Sequence, residues 1–411
     1  MKLSRVLLVL LSAIGIGLGV TYYVMSQAAP EPEHLEKAVR VLANDLRSQL
    51  VRHRKGLIES LREERAGASA GMQADAAGIS VVPFVDADSG EVVKVSKNVE
   101  QLVSGWLVDS GAFRVSTLTP DNLVDAEYIL FGVMLLDDFR RKGQPSERRY
   151  HIIVSAVEHK SRTVVAQSDA WIAESDLDYT PTPLYRDSPM FPRDPRLASM
   201  VAIARSAPGR QADREYYDSL QTNALMAEAE SYFDISDYAH ARTLFKQVTS
   251  RKDGQVLRAY LGLYRTDVEL HDMIAAELAF RELVGVGSAV GLNTKFLFGV
   301  NSTAFVASDS LRSQYEMWTR QIGRYFSTDP RCIDIVGHSS KTGTDEHNQE
   351  LSLERANVIR DKIVDIFPAV AKKTKAEGRG ASENIIGSGT DDERDALDRR
   401  VEVVVVECPK S

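Results

Sequence analysis

The chain opens with a short basic stretch, residues 1–5, followed by an apolar run over residues 6–24. This order is typical of a secretory signal or of a single membrane anchor. Residues 26–28 offer small side chains at the offsets that signal cleavage needs, whereas aromatic residues near the end of the run would suit an anchor at a membrane interface. The pattern predicts that the rest of the chain is exported, with residues 1–28 as either a signal peptide or a membrane anchor.

Helical spacing follows this leader and then gives way to strand-like runs. Apolar residues recur every three, four or seven positions and predict a helix over residues 33–65, packed on its own domain or on a coiled-coil partner. Two shorter helical patterns cover residues 99–108 and 120–125. The β-rich runs between them predict strands at residues 79–85, 113–117, 128–135, 150–157 and 163–172. Together these elements predict an α/β domain over residues 33–174.

Residues 175–215 are predicted to form an extended linker, because prolines cluster there. Proline removes a backbone donor and disfavours helix at the residue before it. Proline-rich linkers accordingly adopt extended conformations. The cluster lies within residues 176–196 and consists of Pro181, Pro183, Pro189, Pro192 and Pro195.

Helical spacing returns over residues 216–290. Small and aromatic residues there resemble those of a tetratricopeptide repeat, in which small residues let two helices approach and aromatic residues fill the gap. The second unit follows the first by 35 residues, near the period of that family; the matching positions are Ala241 and Ala276, Phe245 and Phe280, and Val248 and Leu283. An ordinary helical hairpin is the alternative. Because two units are fewer than a free-standing solenoid needs, we expect this segment to pack on a neighbouring domain.

Strand and helix patterns alternate again from residue 294 to the end of the chain. Three β-rich runs flank two helical stretches; the runs cover residues 295–300, 332–336 and 400–407, and the helices cover residues 311–326 and 351–367. The order predicts a β-α-β-α-β sandwich over residues 294–411. The predicted fold class of the whole chain is therefore α/β plus α.

Composition narrows the possible functions. Apolar residues make up 44% of the chain, enough for packed cores, and the formal net charge is −8. We find no concentrated basic face of the kind that nucleic-acid binding needs, so nucleic acid is not an expected partner. The sequence contains no metal-binding His or Cys cluster, nucleophile elbow or phosphate-binding loop. It predicts neither an enzyme nor a cofactor.

The chain has two cysteines, Cys332 and Cys408. An even pair in an exported protein predicts a disulfide, because such proteins meet an oxidising environment. Two separate buried thiols are the alternative. A disulfide would close a long loop within the C-terminal domain and stabilise the fold by about 2–4 kcal/mol.

A motif in the C-terminal domain resembles the signature of OmpA C-terminal-like domains, which bind peptidoglycan without cleaving it. Its parts occur in the order and at the spacing of that family: Gly337-His338, Thr342-Gly343, Asn348, Leu351-Ser352, Arg355-Ala356 and the stretch Asp398-Arg399-Arg400-Val401-Glu402. The resemblance implies an α/β sandwich domain that holds the cell wall. It also implies that the chain is a non-catalytic envelope protein.

A second resemblance concerns the α/β domain. The runs at residues 79–86, 118–133 and 164–172 are similar to the periplasmic domain of the CsgG, FlgO and penicillin-binding-protein-activator type. That resemblance implies contacts with other envelope proteins. It implies no catalytic role for residues 33–174.

The OmpA-like motif implies a set of residues that bind the peptidoglycan stem peptide: Arg355, Ser340, Thr342, Asn348, Arg400 and Asn301. Arg355 would bind a stem carboxylate, since a planar guanidinium suits bidentate carboxylate binding. We place it in the first turn of the second helix, where the helix dipole would also favour an anion. Ser340 stands where the family has the Asp that binds the amine of diaminopimelate. That salt bridge is lost unless another acid, such as Asp345, supplies the charge.

These assignments have structural alternatives. Arg355 could instead form an ion pair with a nearby acid, such as Glu354, Asp361 or Asp398. Of Arg399 and Arg400, one would face the rim of the pocket and the other would hold Glu402 or Asp398. His338 is expected to be structural. It is not expected to form a nucleophilic pair with the serines that follow it, because successive residues of a strand point to opposite faces.

The sequence therefore predicts a protein of the periplasm or cell envelope of a Gram-negative bacterium, associated with the outer or the inner membrane. Its expected partners are peptidoglycan, other envelope proteins and, if the leader is uncleaved, the membrane. The leading hypothesis is a wall-binding scaffold. The alternative is an assembly or regulatory factor of a secretion, flagellar or wall-synthesis machine, with weak or vestigial wall binding.

Overall fold

The computed structural model is a mixed helix and sheet protein with two sheets joined by a helical region. It describes residues 31–64, 76–141, 144–292, 294–306, 309–385, 389, 391 and 394–409. The predicted signal or anchor, residues 1–28, lies outside the described residues. Within them, no helix combines the length and the apolar character that crossing a membrane requires.

The first sheet belongs to the predicted α/β domain. Its order is β3-β1-β4-β5-β6, with β2 beside β4. The strands are β1 (Ala77–Val81), β2 (Val85–Asp86), β3 (Phe113–Thr117), β4 (Tyr128–Phe139), β5 (Glu147–Glu158) and β6 (Thr163–Trp171). β1 runs parallel to β3 and β4, whereas β4, β5 and β6 are antiparallel. The long β4–β5 ladder forms the centre of the sheet.

Three helices accompany this sheet: α1 (Leu35–Glu64), α2 (Lys94–Val108) and α3 (Pro120–Val124). The apolar stripe of α1 packs on β6 and α2. Leu42, Leu46 and Leu50 are fully buried there. Between residues 38 and 50 the stripe is therefore covered by the helix's own domain, which agrees with our prediction that the helix packs on its own domain.

The extended linker predicted for residues 175–215 is wrong. This segment forms α4 (Pro183–Arg186), α5 (Pro195–Ala204) and α6 (Arg214–Asp218). Tyr185 and Phe191 are fully buried within it. The prolines are compatible with helix because two of them occupy first-turn positions, where no intrahelical N–H bond is lost. The apolar residues between the prolines are buried, and their packing holds the segment against the core.

Four longer helices follow: α7 (Leu220–Asp234), α8 (Tyr238–Ser250), α9 (Leu257–Glu269) and α10 (Met273–Val290). They pack in sequence, α7 on α8, α8 on α9 and α9 on α10. Phe245 and Phe280, which the repeat pattern singled out, are fully buried. The membership of these helices in the tetratricopeptide family stays a prediction.

The helical region packs on the C-terminal domain, as expected of a two-unit segment. The Tyr264 hydroxyl of α9 donates to Gln314 Oε1 at 2.7 Å and accepts from Trp318 Nε1 at 2.7 Å. The Phe280 and Trp318 rings stack with centroids 5.9 Å apart. Aromatic packing and buried hydrogen bonds therefore hold the two regions together.

A buried ion pair joins the domain of the first sheet to the domain of the second. Lys295 Nζ contacts Glu91 Oε1, and the two side chains are 1% and 0% exposed. Lys295 also donates to the Tyr185 carbonyl at 3.0 Å, within the segment predicted to be a linker. Burial raises the pKa of Glu91 and lowers that of Lys295, against the attraction between them. Lys295 thus connects the C-terminal domain to the first domain, through Glu91, and to the proline-containing segment, through Tyr185.

Glu100 of α2 lies half-buried beside a cavity of about 90 Å³ between the first domain and α7. Its Oε2 accepts from the Phe84 amide at 3.0 Å. Burial raises the pKa of Glu100 from 4.5 to about 7, although that hydrogen bond and Lys97 oppose the shift. The protonated carboxyl is therefore favoured more in the folded state than in the unfolded state. The stability that this preference provides is fully present below pH 4.5 and is lost as the pH rises through 7.

We expect Glu100→Gln to stabilise the protein at pH 8 by about 1–3 kcal/mol, since the amide never ionises and can still accept from Phe84. At pH 5 the gain should shrink below about 1 kcal/mol, because the wild-type carboxyl is then largely protonated in the folded state. Urea unfolding at the two pH values measures both. Exposed Glu36→Gln serves as the control, and an equal effect of Glu100→Gln at both pH values would contradict the prediction.

The C-terminal domain is built on the second sheet, of order β7-β10-β8-β9. Its elements are β7 (Phe296–Leu297), α11 (Asp309–Thr328), β8 (Cys332–Gly337), α12 (Asp345–Ile366), β9 (Thr374–Gly378) and β10 (Arg400–Val406). β10 is antiparallel to β7 and β8, whereas β9 is parallel to β8. β9, a strand at the edge of the sheet, is not among the predicted strands. The run Thr-Lys-Ala-Glu-Gly lacks the β-branched pattern of the other strands.

The predicted disulfide is present. Cys332 at the start of β8 is bonded to Cys408 just after β10, across a separation of 76 residues. The pairing follows from the sheet, since Cys332 lies opposite Val406 in the β8–β10 ladder. The disulfide therefore links the residues that follow β10 to the start of β8, its neighbour in the sheet.

Candidate functional site

Arg355 lies inside the C-terminal domain, in the middle of α12. The helix begins at Asp345, where the Thr344 hydroxyl accepts from the His347 amide at 3.2 Å. Our placement of Arg355 in the first turn, beside the positive end of the helix dipole, is therefore wrong. The reason is local: Thr344 is a good N-cap, and the polar turn that follows it is already helical.

The Arg355 guanidinium is fully buried and is held by backbone carbonyls. Nε donates to Ser302 at 2.9 Å, Nη1 to His338 at 3.1 Å and Nη2 to Gly299 at 2.9 Å. Burial, followed by the charge of Arg399, lowers the pKa of Arg355 to about 10, so it stays protonated at neutral pH. All three acceptors are neutral.

The acids proposed as structural partners of Arg355 make other contacts. Asp361 accepts from Arg360 at 3.1 Å, and Asp398 accepts from the Ile385 amide at 2.6 Å. Glu354 is exposed. Among the described residues, the acid that acts on the pKa of Arg355 is Asp391, which partly offsets the effect of Arg399.

Residues 299–302 form the turn that covers Arg355. Asn301 adopts a left-handed backbone conformation, with φ 45°, at the tip of this turn. Its side chain is exposed, and its Oδ1 accepts from His347 Nε2 at 2.8 Å. Asn301 therefore links the turn to the start of α12, whereas we predicted that it lines the pocket.

The hydroxyl groups of Ser340 and Thr342 both donate a hydrogen bond to the Asp391 carboxylate. Ser340 Oγ donates to Asp391 Oδ1 at 2.5 Å, and Thr342 Oγ1 donates to Asp391 Oδ2. Arg399 Nη1 lies 3.2 Å from Asp391 Oδ1. Burial raises the pKa of Asp391, but the two hydroxyls and the Arg399 charge lower it further, so its net pKa is below the usual value. Sequence reasoning missed Asp391, because it lies 51 residues beyond Ser340.

Asn348 projects from the first part of α12 toward the loop after β8. Its side chain is 3% exposed, and its Nδ2 has no hydrogen-bond partner among the described residues. The neighbouring turn passes Gly343 at φ +98°, a conformation that favours glycine. An unpaired buried amide donor is costly to the fold and is therefore a candidate ligand contact.

The close packing of β8 on α12 sets this geometry. A Cβ on Gly337 would lie 1.8 Å from the Ser352 carbonyl, so only glycine fits at the end of β8. Ser352 Oγ accepts from the Gly380 amide at 2.9 Å and donates to the Gln349 carbonyl at 2.9 Å. Ser352 thus links α12 to the loop that contains Gly380.

Arg400 and His338 are structural here. Arg400 Nε donates to Glu402 Oε1 at 2.6 Å, and both side chains are buried. We predicted Arg400 as a ligand-binding residue, but it is Arg399 that shares the Asp391 carboxylate with Ser340 and Thr342. Burial and the Arg400 charge lower the pKa of His338 to about 3, so its ring is neutral. Neither ring nitrogen of His338 nor Ser339 Oγ has a hydrogen-bond partner within the described part of the chain, and no His–Ser pair forms.

The arrangement offers two guanidinium groups, Arg355 and Arg399, near the Asp391 carboxylate, and the unpaired amide of Asn348 on α12. Cations and amide donors suit a carboxylate ligand, and the carboxylate suits an amine. In the described ranges, no group of three or more His, Cys, Asp or Glu residues is placed to hold a metal ion. The chemistry of these residues therefore suits a charged polar group.

Comparison with known proteins places a family match on this domain. Residues 307–397 match the model of the OmpA family. Outer membrane porin F of Pseudomonas aeruginosa is 38% identical over 71 residues, which cover 17% of this chain and 20% of that protein. The chain thus spans about a fifth of the length of this curated relative.

Several solved structures are also similar. The peptidoglycan-associated lipoprotein from Burkholderia pseudomallei is 25% identical, with 28% of this chain and 92% of that chain covered and a TM-score of 0.25. The cell wall anchor of the T6SS from Pseudomonas aeruginosa is 24% identical, with 27% and 76% covered and a TM-score of 0.22. The resemblances predicted for residues 33–174 and 216–290 stay predictions. The family match covers α11, β8, α12 and β9, and the C-terminal domain of this chain is OmpA-like.

Proposed function

We propose that this protein binds peptidoglycan without cleaving it, through its C-terminal domain, in the envelope of a Gram-negative bacterium. The match of residues 307–397 to the OmpA family supports this proposal, as does the likeness to an outer membrane porin. So does the motif in which Arg355 lies. The observation that carries it is the state of Arg355: a protonated guanidinium whose three bonded acceptors are neutral carbonyls.

A stem-peptide carboxylate can take the place of two of these carbonyls. The Gly299 and Ser302 carbonyls belong to the covering turn, so movement of that turn exposes the Arg355 guanidinium. A carboxylate then accepts two parallel N–H bonds from the guanidinium. The guanidinium is a charged donor to either acceptor, but a carboxylate adds a full negative charge opposite it, and this attraction favours the ligand. The His338 carbonyl, on the other side of the guanidinium, keeps the side chain in place.

The rest of the proposal concerns scaffolding. We assign contacts with other envelope proteins to residues 31–292. Met273, Ile274 and Leu278 of α10 support the assignment, because these large apolar side chains are exposed near one another on the helical region. Exposed apolar patches on a protein of this kind are typical of protein contacts.

Wall binding is tested by sedimentation of purified protein with isolated sacculi that contain diaminopimelate. We expect the protein to pellet with the sacculi in a saturable manner and to stay in solution without them. Soluble stem peptide should release it, because the peptide carries the carboxylate that Arg355 recognises. Equal amounts of protein in the supernatant with and without sacculi would contradict the proposal.

A further inference from the structure

The OmpA-like pattern has an acid at the position of Ser340, and this chain has none there. The structure brings an acid to the same place from a different loop: the Asp391 carboxylate lies 2.5 Å from Ser340 Oγ. We infer that Asp391 is the acidic ligand-binding residue of this pocket and that it takes the ammonium group of the stem peptide. The inference rests on the proposed wall binding and names the residue that recognises the amine.

The hydrogen-bonding capacity of Asp391 supports this role. An ionised carboxylate has about four acceptor positions. Ser340 and Arg399 contact Oδ1, and Thr342 contacts Oδ2. Counting the described residues, about one position on Oδ2 is left for a donor from outside. The side chain is 22% exposed, so a ligand can reach it.

The charges around Asp391 define the ligand that fits. The Arg399 guanidinium contacts the Asp391 carboxylate, and the charge of Asp391 also acts on the pKa of Arg355, so two cations lie near this acid. A group with an ammonium and a carboxylate on one carbon matches this arrangement: the ammonium bonds to Asp391 and the carboxylate bonds to a guanidinium. The unpaired, buried Nδ2 of Asn348 supplies a further donor for that carboxylate.

Asp345, the acid that the sequence suggested as a replacement, lies elsewhere. It is exposed in the first turn of α12. An acid in the first helical turn interacts favourably with the helix dipole, which accounts for a carboxylate at this position without a ligand. Asp345 is therefore a matched control for Asp391.

The first experiment compares Asp391→Asn with Asp345→Asn in the sacculus sedimentation assay. Asparagine keeps the shape of aspartate and an oxygen acceptor but removes the charge. We expect Asp391→Asn to weaken binding about tenfold and Asp345→Asn to leave it unchanged. If the wild type binds and Asp391→Asn binds equally well, the inference is overturned while wall binding stands. If the wild type does not bind, the proposed function itself fails.

A charge-relocation variant tests the position of the acid. Ser340→Asp restores the acid of the family pattern, and in the Asp391→Asn background we expect it to recover most of the lost binding. Alone, Ser340→Asp should weaken binding, because it places two carboxylates side by side. The double variant should thus bind better than either single variant, a non-additive result expected only of residues in contact. A double variant no better than Asp391→Asn overturns the inference.

A third arm uses the wild-type protein and alters the ligand. Acetylation of the free amines of the sacculi removes the ammonium group. We expect wild-type binding to fall about tenfold, to the level of Asp391→Asn on untreated sacculi. This arm decides the question even if circular dichroism shows that a variant is unfolded. Equal binding of the wild type to acetylated and untreated sacculi overturns the inference.

Discussion

Lys295→Met is expected to lower the free energy of unfolding by about 3–5 kcal/mol. The substitution leaves the Glu91 carboxylate buried without its cation, and an uncompensated buried charge is strongly destabilising. It also removes the donor to the Tyr185 carbonyl. Urea unfolding followed by circular dichroism measures the change, with the protein held at neutral pH so that wild-type Glu91 and Lys295 can pair.

Two variants control for this prediction. Lys97→Met breaks the partly exposed pair of Lys97 with Asp234, at 2.5 Å, and should cost only about 0–1 kcal/mol. Glu91→Leu combined with Lys295→Met removes both charges and should recover most of the loss, since an apolar pair of similar size is often as stable as a buried ion pair. A Lys295→Met variant as stable as Lys97→Met would show that Glu91 is not held in a water-free site.

Arg355→Met is expected to reduce sacculus binding by about 10–100-fold, since hydrogen bonds to charged groups contribute about 1.5–3 kcal/mol. It should also lower the free energy of unfolding by about 3 kcal/mol, because three buried carbonyls lose their donors at about 1 kcal/mol each. Sedimentation with sacculi measures the first effect and urea unfolding the second. Binding is compared at a temperature where the variant is folded.

Arg360→Met provides the matched control for Arg355→Met. Arg360 lies on the same helix and pairs at its surface with Asp361. The same substitution there should change neither binding nor stability by more than about 0.5 kcal/mol. Arg355→Lys keeps the charge but cannot reach all three carbonyls with the geometry of a guanidinium. If Arg355→Met is folded and binds as well as Arg360→Met, then Arg355 is a structural residue.

The strands and helices of the sequence analysis followed from periodicity, and most of them exist. The β-branched runs of β4, β5 and β6 are buried on a sheet that has a helix on its face, which is the environment their composition fits. The segment with the clustered prolines failed because proline content says little about tertiary burial. Two prolines start short helices, and the aromatic residues near them, such as Tyr185 and Phe191, decide where the chain lies.

The candidate site was predictable in part. The order of Gly337, Thr342, Asn348 and Arg355 indicated the right loop and helix, because these residues are near in sequence. Asp391 was missed, since no local pattern reveals that its loop returns to Ser340. The burial of Arg355 was missed for a similar reason. Its acceptors at Gly299 and Ser302 precede it by more than 50 residues and are backbone atoms, which side-chain identity does not predict.

The packed segment between the two sheets has a mechanical consequence. Lys295 bonds both to the Tyr185 carbonyl of this segment and to Glu91 of the first domain. A force applied to the C-terminal domain is therefore transmitted to the first domain, because no flexible linker separates them. With the C-terminal domain on the wall, as proposed, a protein partner on that sheet would be held at a fixed distance from the glycan strands. Such a molecule would act as a stiff spacer, because its buried contacts fix the distance between its two domains.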